Sequence, residues 1–209
     1  MTKSTTNNTP LQFSQQDIDI DSTLMAYDGY FKIVKYKFRH RLFAGGWSEL
    51  VERELFERGH AVAVLLFDPK RDTVVLVEQI RVGAIAANYS PWQLEIVAGV
   101  IDKQQAPIDV AKRETLEEAG LQVEKLLPMT RYLSSSGGCS ESIHLFLGIV
   151  DSSQAGGIHG LAEENEDILL HVVPFATALG WVRSGKIENA ASIIAIQWLA
   201  LNKTMWTQV

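Results

Sequence analysis

Two apolar segments joined by a short turn constrain the fold of this chain most strongly. They read HAVAVLLF at 60–67 and TVVLVEQI at 73–80, and DPKRD separates them. An Asp-Pro dipeptide favours a tight turn, so this pattern predicts a largely apolar antiparallel hairpin. A further strand is predicted at 92–99, WQLEIVAG, which ends at Gly99.

The region before this hairpin carries a second β pattern. Residues 1–16 are rich in Thr, Asn, Ser and Gln without periodicity, which is typical of a flexible leader. Apolar and polar residues alternate over 30–38 and again over 48–56, and Gly45 and Gly46 supply a turn between the two runs. The alternation predicts a small antiparallel sheet.

The region after the hairpin is predicted to be mixed helix and strand. Pro107 is well tolerated at a first helical position and Gly120 is a common helix stop, which together predict a helix over 107–119. The polar segment 151–167 is long for a compact domain, and such loops are commonly functional or disordered. The other predicted elements are strands at 143–150 and 168–175, and helices at 176–185 and 189–202 with Asn189 as N-cap.

Composition excludes several classes of function. The chain has 25 acidic and 19 basic residues, a net charge of −6, and no basic run that could follow a nucleic-acid backbone. No apolar stretch approaches the roughly 20 residues needed to cross a bilayer. The polar N-terminus lacks the apolar segment of a secretion signal, and the single cysteine, Cys139, allows no internal disulfide. We therefore expect a cytoplasmic protein without nucleic-acid or membrane partners.

Three glutamates crowd the end of the predicted helix. In RETLEEAG, 113–120, the residues Glu114, Glu117 and Glu118 occupy one arc, although like charges at this spacing repel. One interpretation is a solvated acidic face; the other is a site for a hard cation such as Mg²⁺, which prefers carboxylate oxygens. The stripe expected to face a sheet consists of Ile108, Ala111, Thr115 and Ala119, with Leu116 on its flank.

The segment from Gly99 to Leu121, GVIDKQQAPIDVAKRETLEEAGL, resembles the Nudix box. It departs from that pattern twice, because Gln105 stands where the first glutamate belongs and Thr115 replaces a hydrophobic residue. The resemblance implies an α/β (α+β) fold, a Nudix α/β/α sandwich with a mixed sheet and a small N-terminal antiparallel β domain. We expect a flexible leader at 1–16, a dimerisation domain at 17–55 and the hydrolase domain at 56–209.

Outside the box the chain resembles the bacterial ADP-ribose pyrophosphatase branch of that family. The likeness is carried by GYFKIVKYKFRHRLFAGG, ERELFERGHAVAVLLFDPKRD, LVEQIRVGA, SSSGGCSE, GIHGLAEENEDI and GKIENAASIIAIQWL. It implies Mg²⁺-dependent hydrolysis of ADP-ribose to AMP and ribose 5-phosphate, with Mn²⁺ as an alternative ion. Two alternatives stay open: hydrolysis of other nucleoside diphosphate sugars, and a non-catalytic regulator that binds ADP-ribose.

The resemblance also implies roles for individual acidic residues. Glu164 in the long loop would be the general base that deprotonates the attacking water. An ordinary glutamate is a weak base at neutral pH, so a metal-bound water of lowered pKa would share the task. The implied metal ligands are the backbone carbonyl of Ala98, Glu114, Glu118 and Glu166, with Glu117 as an additional one.

The implied substrate-binding residues lie in both halves of the chain. Tyr30 and Phe31 resemble an aromatic pair that the partner subunit of a homodimer contributes to the adenine pocket. Arginine binds phosphate through forked hydrogen bonds and stacks on bases. The remaining implied contacts are Arg53, Glu54, Arg58, Arg81, Val100, Ser135, Gly137 and Glu141.

Other hydrolase classes find no support in the residues. No two of the five histidines have the spacing of zinc ligands, and the chain contains neither a G-x-S-x-G elbow nor a Walker A loop. The resemblance therefore remains the basis of the prediction, which is a metal-dependent hydrolase acting on a small nucleotide.

Overall fold

A computed structural model describes residues 10–102 and 105–205, which form two compact units. One unit contains the described residues up to Arg58 together with Ser135–Ser140; the other contains Gly59–Ser134 and the described residues from Glu141 onward. Residues 1–9 of the predicted leader lie outside the described residues, and Ser14 caps a short 3₁₀ turn at Gln15–Asp17. The domain boundaries expected from the sequence stay a prediction.

The N-terminal unit is a three-stranded antiparallel sheet in the order β1-β2-β3. Its strands are β1 (Ile18–Asp28), β2 (Lys32–His40) and β3 (Val51–Glu57). Gly45 and Gly46 have φ angles of 92° and 81°, a conformation that glycine adopts without steric penalty, and they turn the chain between β2 and β3. The predicted small antiparallel sheet is confirmed, although β1 was not predicted.

The second unit is built on an eight-stranded mixed sheet. Its main path runs β10-β11-β5-β4-β9-β8, with β6 paired to β5 and β7 paired to β4; β4 and β9 are parallel. The strands are β4 (His60–Asp68), β5 (Thr73–Ile80), β6 (Trp92–Glu95), β7 (Val97–Ile101), β8 (Lys125–Leu133), β9 (Ser142–Ile149), β10 (Ile158–His159) and β11 (Ile168–Pro174). The helices are α1 (Val82–Ala86), α2 (Pro107–Ala119), α3 (Phe175–Ser184) and α4 (Ala190–Asn202).

The two faces of this sheet are covered by different helices. Because side chains alternate along a strand, β4 supplies one apolar row to each face. Leu65 and Phe67 belong to a core with residues of α3 and α4, whereas Val64 and Leu66 belong to a second core with residues of α2. The predicted α/β/α sandwich with a mixed sheet is confirmed.

The turn between β4 and β5 is fixed by a buried carboxylate. Asp68 is 1% exposed and accepts hydrogen bonds from the backbone amides of Lys70, Arg71 and Ser152. Burial alone would raise its pKa, but these hydrogen bonds and the Arg71 guanidinium hold the pKa of Asp68 well below its usual range. The predicted Asp-Pro turn is confirmed, and it is tied to the loop that follows β9.

The single strand predicted at 92–99 was wrong, because the chain breaks at Ile96 into β6 and β7. The Ile96 amide donates to Ser192 Oγ of α4 at 3.1 Å instead of to a neighbouring strand. β6 then pairs with β5, while β7 crosses to β4. The break therefore places β7 next to α2.

Helix α2 begins at Pro107 and ends at Ala119, as predicted, with Gly120 in the left-handed conformation at φ 62°. The predicted apolar stripe was wrong in part, because Ile108 and Leu116 are exposed. The face turned to the sheet consists of Val110, Ala111, Thr115, Glu118 and Ala119. A glutamate thus occupies a position on the buried face.

The other helix predictions hold with small shifts. Asn189 Oδ1 accepts a hydrogen bond from the Ser192 amide, which confirms it as the N-cap of α4. Helix α1 and strand β8 were not predicted. Over the described residues, every helix is too short or too polar to traverse a lipid bilayer.

Candidate functional site

Two carboxylates of α2 lie against the backbone of β7. Glu118 is 3% exposed, and its Oε2 accepts a hydrogen bond from the Ala98 amide at 3.1 Å. Glu114 crosses directly over Gly99, where an added Cβ would stand 2.0 Å from Glu114 Oε1. The absence of a side chain at Gly99 therefore lets the Glu114 carboxylate lie against the strand.

Burial raises the pKa of both carboxyl groups. The pKa of Glu114 is raised to about 7, chiefly by burial and further by the charges of Glu117 and Glu166. The pKa of Glu118 is raised to about 8, again chiefly by burial and further by Glu114 and Glu166. The hydrogen bond from the Ala98 amide and the charge of Arg81 lower the pKa of Glu118, but they offset only part of this increase. Two neighbouring carboxyl groups whose negative charge is poorly compensated are donors that fit a hard divalent cation.

Arg113 braces the outer edge of this group. Its guanidinium pairs with Glu114 Oε1 and with Glu117 Oε2, each at 2.8 Å. Gln105, which stands where the first glutamate of the box belongs, is exposed. The other departure from the box is accommodated locally, because Thr115 is fully buried and its hydroxyl donates to the Ala111 carbonyl at 2.7 Å.

The long loop after β9 brings Glu166 to the carboxylates of α2. Gly160, at φ 100°, packs so closely on Glu166 that an added Cβ would lie 2.7 Å from the Glu166 Cβ. The Gly160 amide donates to the Glu117 carbonyl at 3.3 Å, and Glu166 Oε2 accepts from the Leu161 amide at 3.1 Å. The loop is therefore attached to the C-terminal end of α2.

The general base candidate, Glu164, lies in the same loop. Glu164 ends a 3₁₀ turn at Ala162–Glu164 and is exposed, and Asn165 follows it with φ 55°. Across residues 10–102 and 105–205, no set of three or more His, Cys, Asp or Glu side chains stands arranged as a ready-made metal cage. Glu114, Glu118 and Glu166 instead rest on Arg113 and on backbone amides, so the predicted ligand set stays a prediction.

Comparison with known proteins identifies this arrangement. The profile of the NUDIX domain matches residues 57–200. The chain belongs to the Nudix family. Helix α2 with its three glutamates is accordingly its Nudix helix.

The relatives of this chain include ADP-ribose pyrophosphatases and GDP-mannose pyrophosphatases. The chain is 51% identical over 196 residues to the ADP-ribose pyrophosphatase of Escherichia coli (strain K12), with 94% of each chain covered. It is 52% identical over 193 residues to the ADP-ribose pyrophosphatase of Haemophilus influenzae, covering 91% of this chain and 89% of that one. A GDP-mannose pyrophosphatase of Escherichia coli O1:K1 / APEC is 31% identical over 155 residues, 74% of this chain and 80% of its own.

A solved structure described as an ADP compounds hydrolase shares the fold. It superposes with a TM-score of 0.71 over 93% of this chain and 99% of its own. The sequence identity is 17%, so this likeness concerns the fold alone.

Arg81 is a predicted substrate-binding cation whose charge lowers the pKa of Glu118 in the Nudix helix. Its Nε and Nη2 donate to Glu95 Oε2 at 2.9 and 2.7 Å, and the 5% exposed Glu95 also accepts from Asn189 Nδ2. Glu95 therefore sets the direction of Arg81. Sequence reasoning missed Glu95, since no local motif links residues 81 and 95. Of the other predicted contacts in this unit, Val100 is 43% exposed on β7 and Glu141 is 6% exposed just before β9.

The N-terminal unit of this Nudix protein brings another group of predicted residues together. Arg53, Glu54 and Gly137 line one cavity of about 310 Å³. Its other lining residues are Gln15, Ile18, Ile20, Tyr36, Phe38 and Leu55. The unit thus holds a preformed cavity with an arginine, a glutamate and aromatic rings.

The remaining predicted contacts of this unit lie at its loops. Tyr30 is 90% exposed, and its ring packs edge to face on the Phe31 ring with 4.8 Å between the ring centres. The Arg58 guanidinium lies 5.2 Å from the centre of the Phe31 ring. The carbonyl of the exposed Ser135 accepts hydrogen bonds from the amides of Gly138 and Cys139, which orders the loop containing Gly137.

Adding one methyl group at Gly99 tests the packing of the Nudix helix on β7. The Gly99→Ala side chain would occupy the space of the Glu114 carboxylate. We expect kcat/KM to fall roughly 10²-fold, because small misplacements of reacting groups have effects of that order. Gly180→Ala in α3 adds the same methyl group into open space and should leave kcat/KM within about twofold. If Gly99→Ala kept the wild-type kcat/KM, the activity would not depend on the position of Glu114 over Gly99.

Proposed function

We propose that this chain hydrolyses ADP-ribose to AMP and ribose 5-phosphate with a divalent cation. The observation that carries the proposal is 51% identity over 94% of the chain to a protein named ADP-ribose pyrophosphatase. It is supported by the buried and poorly compensated carboxylates of the Nudix helix, Glu114 and Glu118.

The proposed ion is Mg²⁺, with Mn²⁺ as an alternative. Glu114, Glu118 and Glu166 would hold it together with the backbone carbonyl of Ala98, and Glu117 would be an additional ligand. When bound, such an ion lowers the pKa of a water molecule and withdraws charge from phosphate oxygens. The protein contributes by burying Glu118 and partly burying the other carboxylates, which reduces the screening of their attraction for the cation by solvent.

Glu164 is the proposed general base. It would accept a proton from the water that attacks phosphorus, and the anhydride bond would break with AMP and ribose 5-phosphate as products. The turn that carries Glu164 belongs to the loop whose Gly160 and Leu161 are attached to α2 and to Glu166. A small movement of this loop could bring Glu164 to the diphosphate and exclude bulk water.

The proposed substrate contacts are of three kinds, which bind the diphosphate, the adenine base and the ribose groups. Arg81 would bind the diphosphate, because its guanidinium is held in place by Glu95. The aromatic side chains would stack on adenine and the polar loop residues would bind the ribose groups. The proposed contacts are Tyr30, Phe31, Arg53, Glu54, Arg58, Val100, Ser135, Gly137 and Glu141.

We also propose a homodimer in which the two subunits share the substrate site, with Tyr30 and Phe31 contributed by the partner. The support is β1, an edge strand of the N-terminal sheet whose eleven residues are all exposed. Its large apolar side chains are Ile18, Ile20, Leu24, Met25 and Tyr27. An exposed apolar edge strand favours pairing with another chain.

A charge on β1 tests the dimer. Leu24→Glu should weaken dimerisation at least about tenfold, because a carboxylate would be buried in the interface. Leu24 lies opposite Lys35, so the isolated sheet should tolerate the substitution. Leu201→Glu is the matched control, since Leu201 is an 85% exposed leucine of α4 and lies outside β1. Light scattering over a concentration series measures the effect, and an unchanged dimer in Leu24→Glu would contradict the assigned surface.

A substrate panel tests the activity itself. Purified protein with Mg²⁺ should release AMP from ADP-ribose, and excess chelator should abolish the release. The 31% identity to a GDP-mannose pyrophosphatase makes GDP-mannose the competing substrate. A higher kcat/KM for GDP-mannose would favour the second function. Calorimetric binding of ADP-ribose without any turnover would indicate a regulatory ligand-binding protein.

A further inference from the structure

Among the described residues, three buried polar side-chain atoms have no hydrogen-bond partner: Gln79 Nε2, Tyr132 OH and Ser140 Oγ. Tyr132 packs against the core on the α3 and α4 side of the sheet, and Ser140 belongs to the N-terminal unit. Gln79 lies elsewhere, and it is 6% exposed. A buried amide donor without an acceptor is destabilising, so its position invites an explanation.

Strand alternation places Gln79 on the same side of the sheet as the Nudix helix. Val75 and Val77 of β5 belong to the core formed with α2, and Gln79 is the next residue of that row. The chain stays extended at Arg81, with φ −131° and ψ 116°, so Arg81 continues the row. Gln79 thus lies between the apolar core beneath α2 and the guanidinium that acts on Glu118.

The neighbouring strand places the loop carboxylate at the same edge. In the antiparallel pair of β5 and β11, Leu169 lies opposite Glu78. The register therefore sets Ile168 beside Gln79, and the preceding residues, which include Glu166, run toward Arg81. Arg81 and Glu166 both affect the pKa of Glu118, so they belong to the end of the sheet at which Gln79 lies.

The charges around Gln79 indicate the ligand that its N–H would meet. Among the described residues, no acceptor satisfies Nε2. The carboxylates of Glu118 and Glu166 accept hydrogen bonds from the backbone amides of Ala98 and Leu161. Arg81 directs its Nε and Nη2 to Glu95. The buried, neutral N–H donor of Gln79 next to Arg81 is suited to an anionic oxygen that belongs to a ligand.

We infer that Gln79 is a substrate-binding residue whose side-chain N–H donates to an oxygen of the bound diphosphate. The inference rests on the proposed function, since it requires a nucleoside diphosphate at the carboxylates of α2. It adds a neutral donor to the positively charged contact of Arg81.

Replacing Gln79 with methionine separates a ligand contact from a structural one. Gln79→Met keeps the length of the side chain and removes the unpaired donor, so the Tm should stay equal or rise. The kcat/KM for ADP-ribose should fall roughly 10- to 150-fold, the range for a hydrogen bond to a charged group. The inhibition constant of α,β-methylene-ADP should rise by a similar factor.

Gln93→Met is the matched control. Gln93 lies directly opposite Gln79 in the sheet, but its Nε2 donates to the Ser90 carbonyl at 2.7 Å. This variant loses an existing hydrogen bond, so its Tm should fall while kcat/KM stays within about twofold. The two variants should therefore show opposite effects on stability and activity.

Several outcomes would overturn the role of Gln79. A kcat/KM of Gln79→Met within twofold of the wild type would do so, whatever its Tm. If Gln79→Met does not fold, Gln79→Glu replaces the donor with a carboxylate, and wild-type kcat/KM in that variant would have the same meaning. A wild-type protein without turnover would instead contradict the proposed function, and calorimetry with α,β-methylene-ADP would then decide whether Gln79 contacts a diphosphate.

Discussion

Glu118→Gln is expected to lower kcat/KM for ADP-ribose by roughly 10²- to 10⁴-fold, because metal-assisted charge stabilisation contributes several kcal/mol. The same substitution should make the metal-free protein more stable at neutral and alkaline pH. Glutamine still accepts from the Ala98 amide through Oε1, but it has no carboxylate to bury. An inactive variant that is more stable than its parent is the result expected for a residue kept for its function.

The pH dependence of this stability difference has a defined sign. The pKa of Glu118 is about 8 in the folded chain against an ordinary value of 4.5. Between these values the folded protein retains a proton that the unfolded chain has released. The wild-type protein therefore loses stability as the pH rises from about 4.5 to about 8. The Tm of Glu118→Gln should match that of the wild type near pH 4.5 and exceed it by at least about 2 °C at pH 8.

Added Mg²⁺ should reverse the order of the two proteins. A cation displaces the protons on Glu114 and Glu118, so it should raise the Tm of the wild type, and by more at pH 8 than at pH 6. Glu124→Gln is the control, because Glu124 is an exposed glutamate just after α2. Thermal denaturation at four pH values, with and without Mg²⁺, measures the effect. A Tm of Glu118→Gln that stays below the wild-type value throughout would mean that Glu118 stabilises the fold.

Glu164→Gln is expected to reduce kcat by roughly 10²- to 10⁴-fold while KM for ADP-ribose changes by less than about threefold. General base catalysis contributes a factor of that size. Glutamine keeps the size of the side chain but accepts no proton at neutral pH. Glu164 is exposed at the end of its turn, so its replacement should leave the fold and the Tm unchanged.

Glu163→Gln provides the control for Glu164, since both residues lie in the same 3₁₀ turn and both are exposed. Glu163→Gln should retain kcat within about twofold. The two variants have the same net charge, which removes general electrostatics of the loop as an explanation. Equal kcat values for both variants would exclude Glu164 as the base.

Much of the fold could be predicted from the sequence wherever local chemistry determines an element. Helix α2 was predicted with its observed ends because Pro107 and Gly120 are unfavourable inside a helix and suitable at its boundaries. Strand β8 was missed because Pro128 argues against a strand. The structure accommodates this proline beside a register shift between Pro128 and Thr130.

Features set by distant contacts could not be read from one sequence. The break at Ile96 follows from a change of partner strand, and the uniform segment WQLEIVAG does not mark it. The sequence predicted that Glu114 and Glu118 belong to one acidic arc. It could not show that Glu118 is buried against Ala98 or that Glu114 lies over Gly99, because both contacts are with the distant strand β7.

The hydrogen bond between Ile96 and Ser192 connects helix α4 with the proposed site on the opposite face of the sheet. Asn189 and Ser192, at the start of α4, hold Glu95 and Ile96. Glu95 in turn orients Arg81, and Ile96 sets the course of the strand that contacts Glu118. The proposed active-site geometry is thus supported from behind the sheet, so α4 would position catalytic groups as well as cover the core.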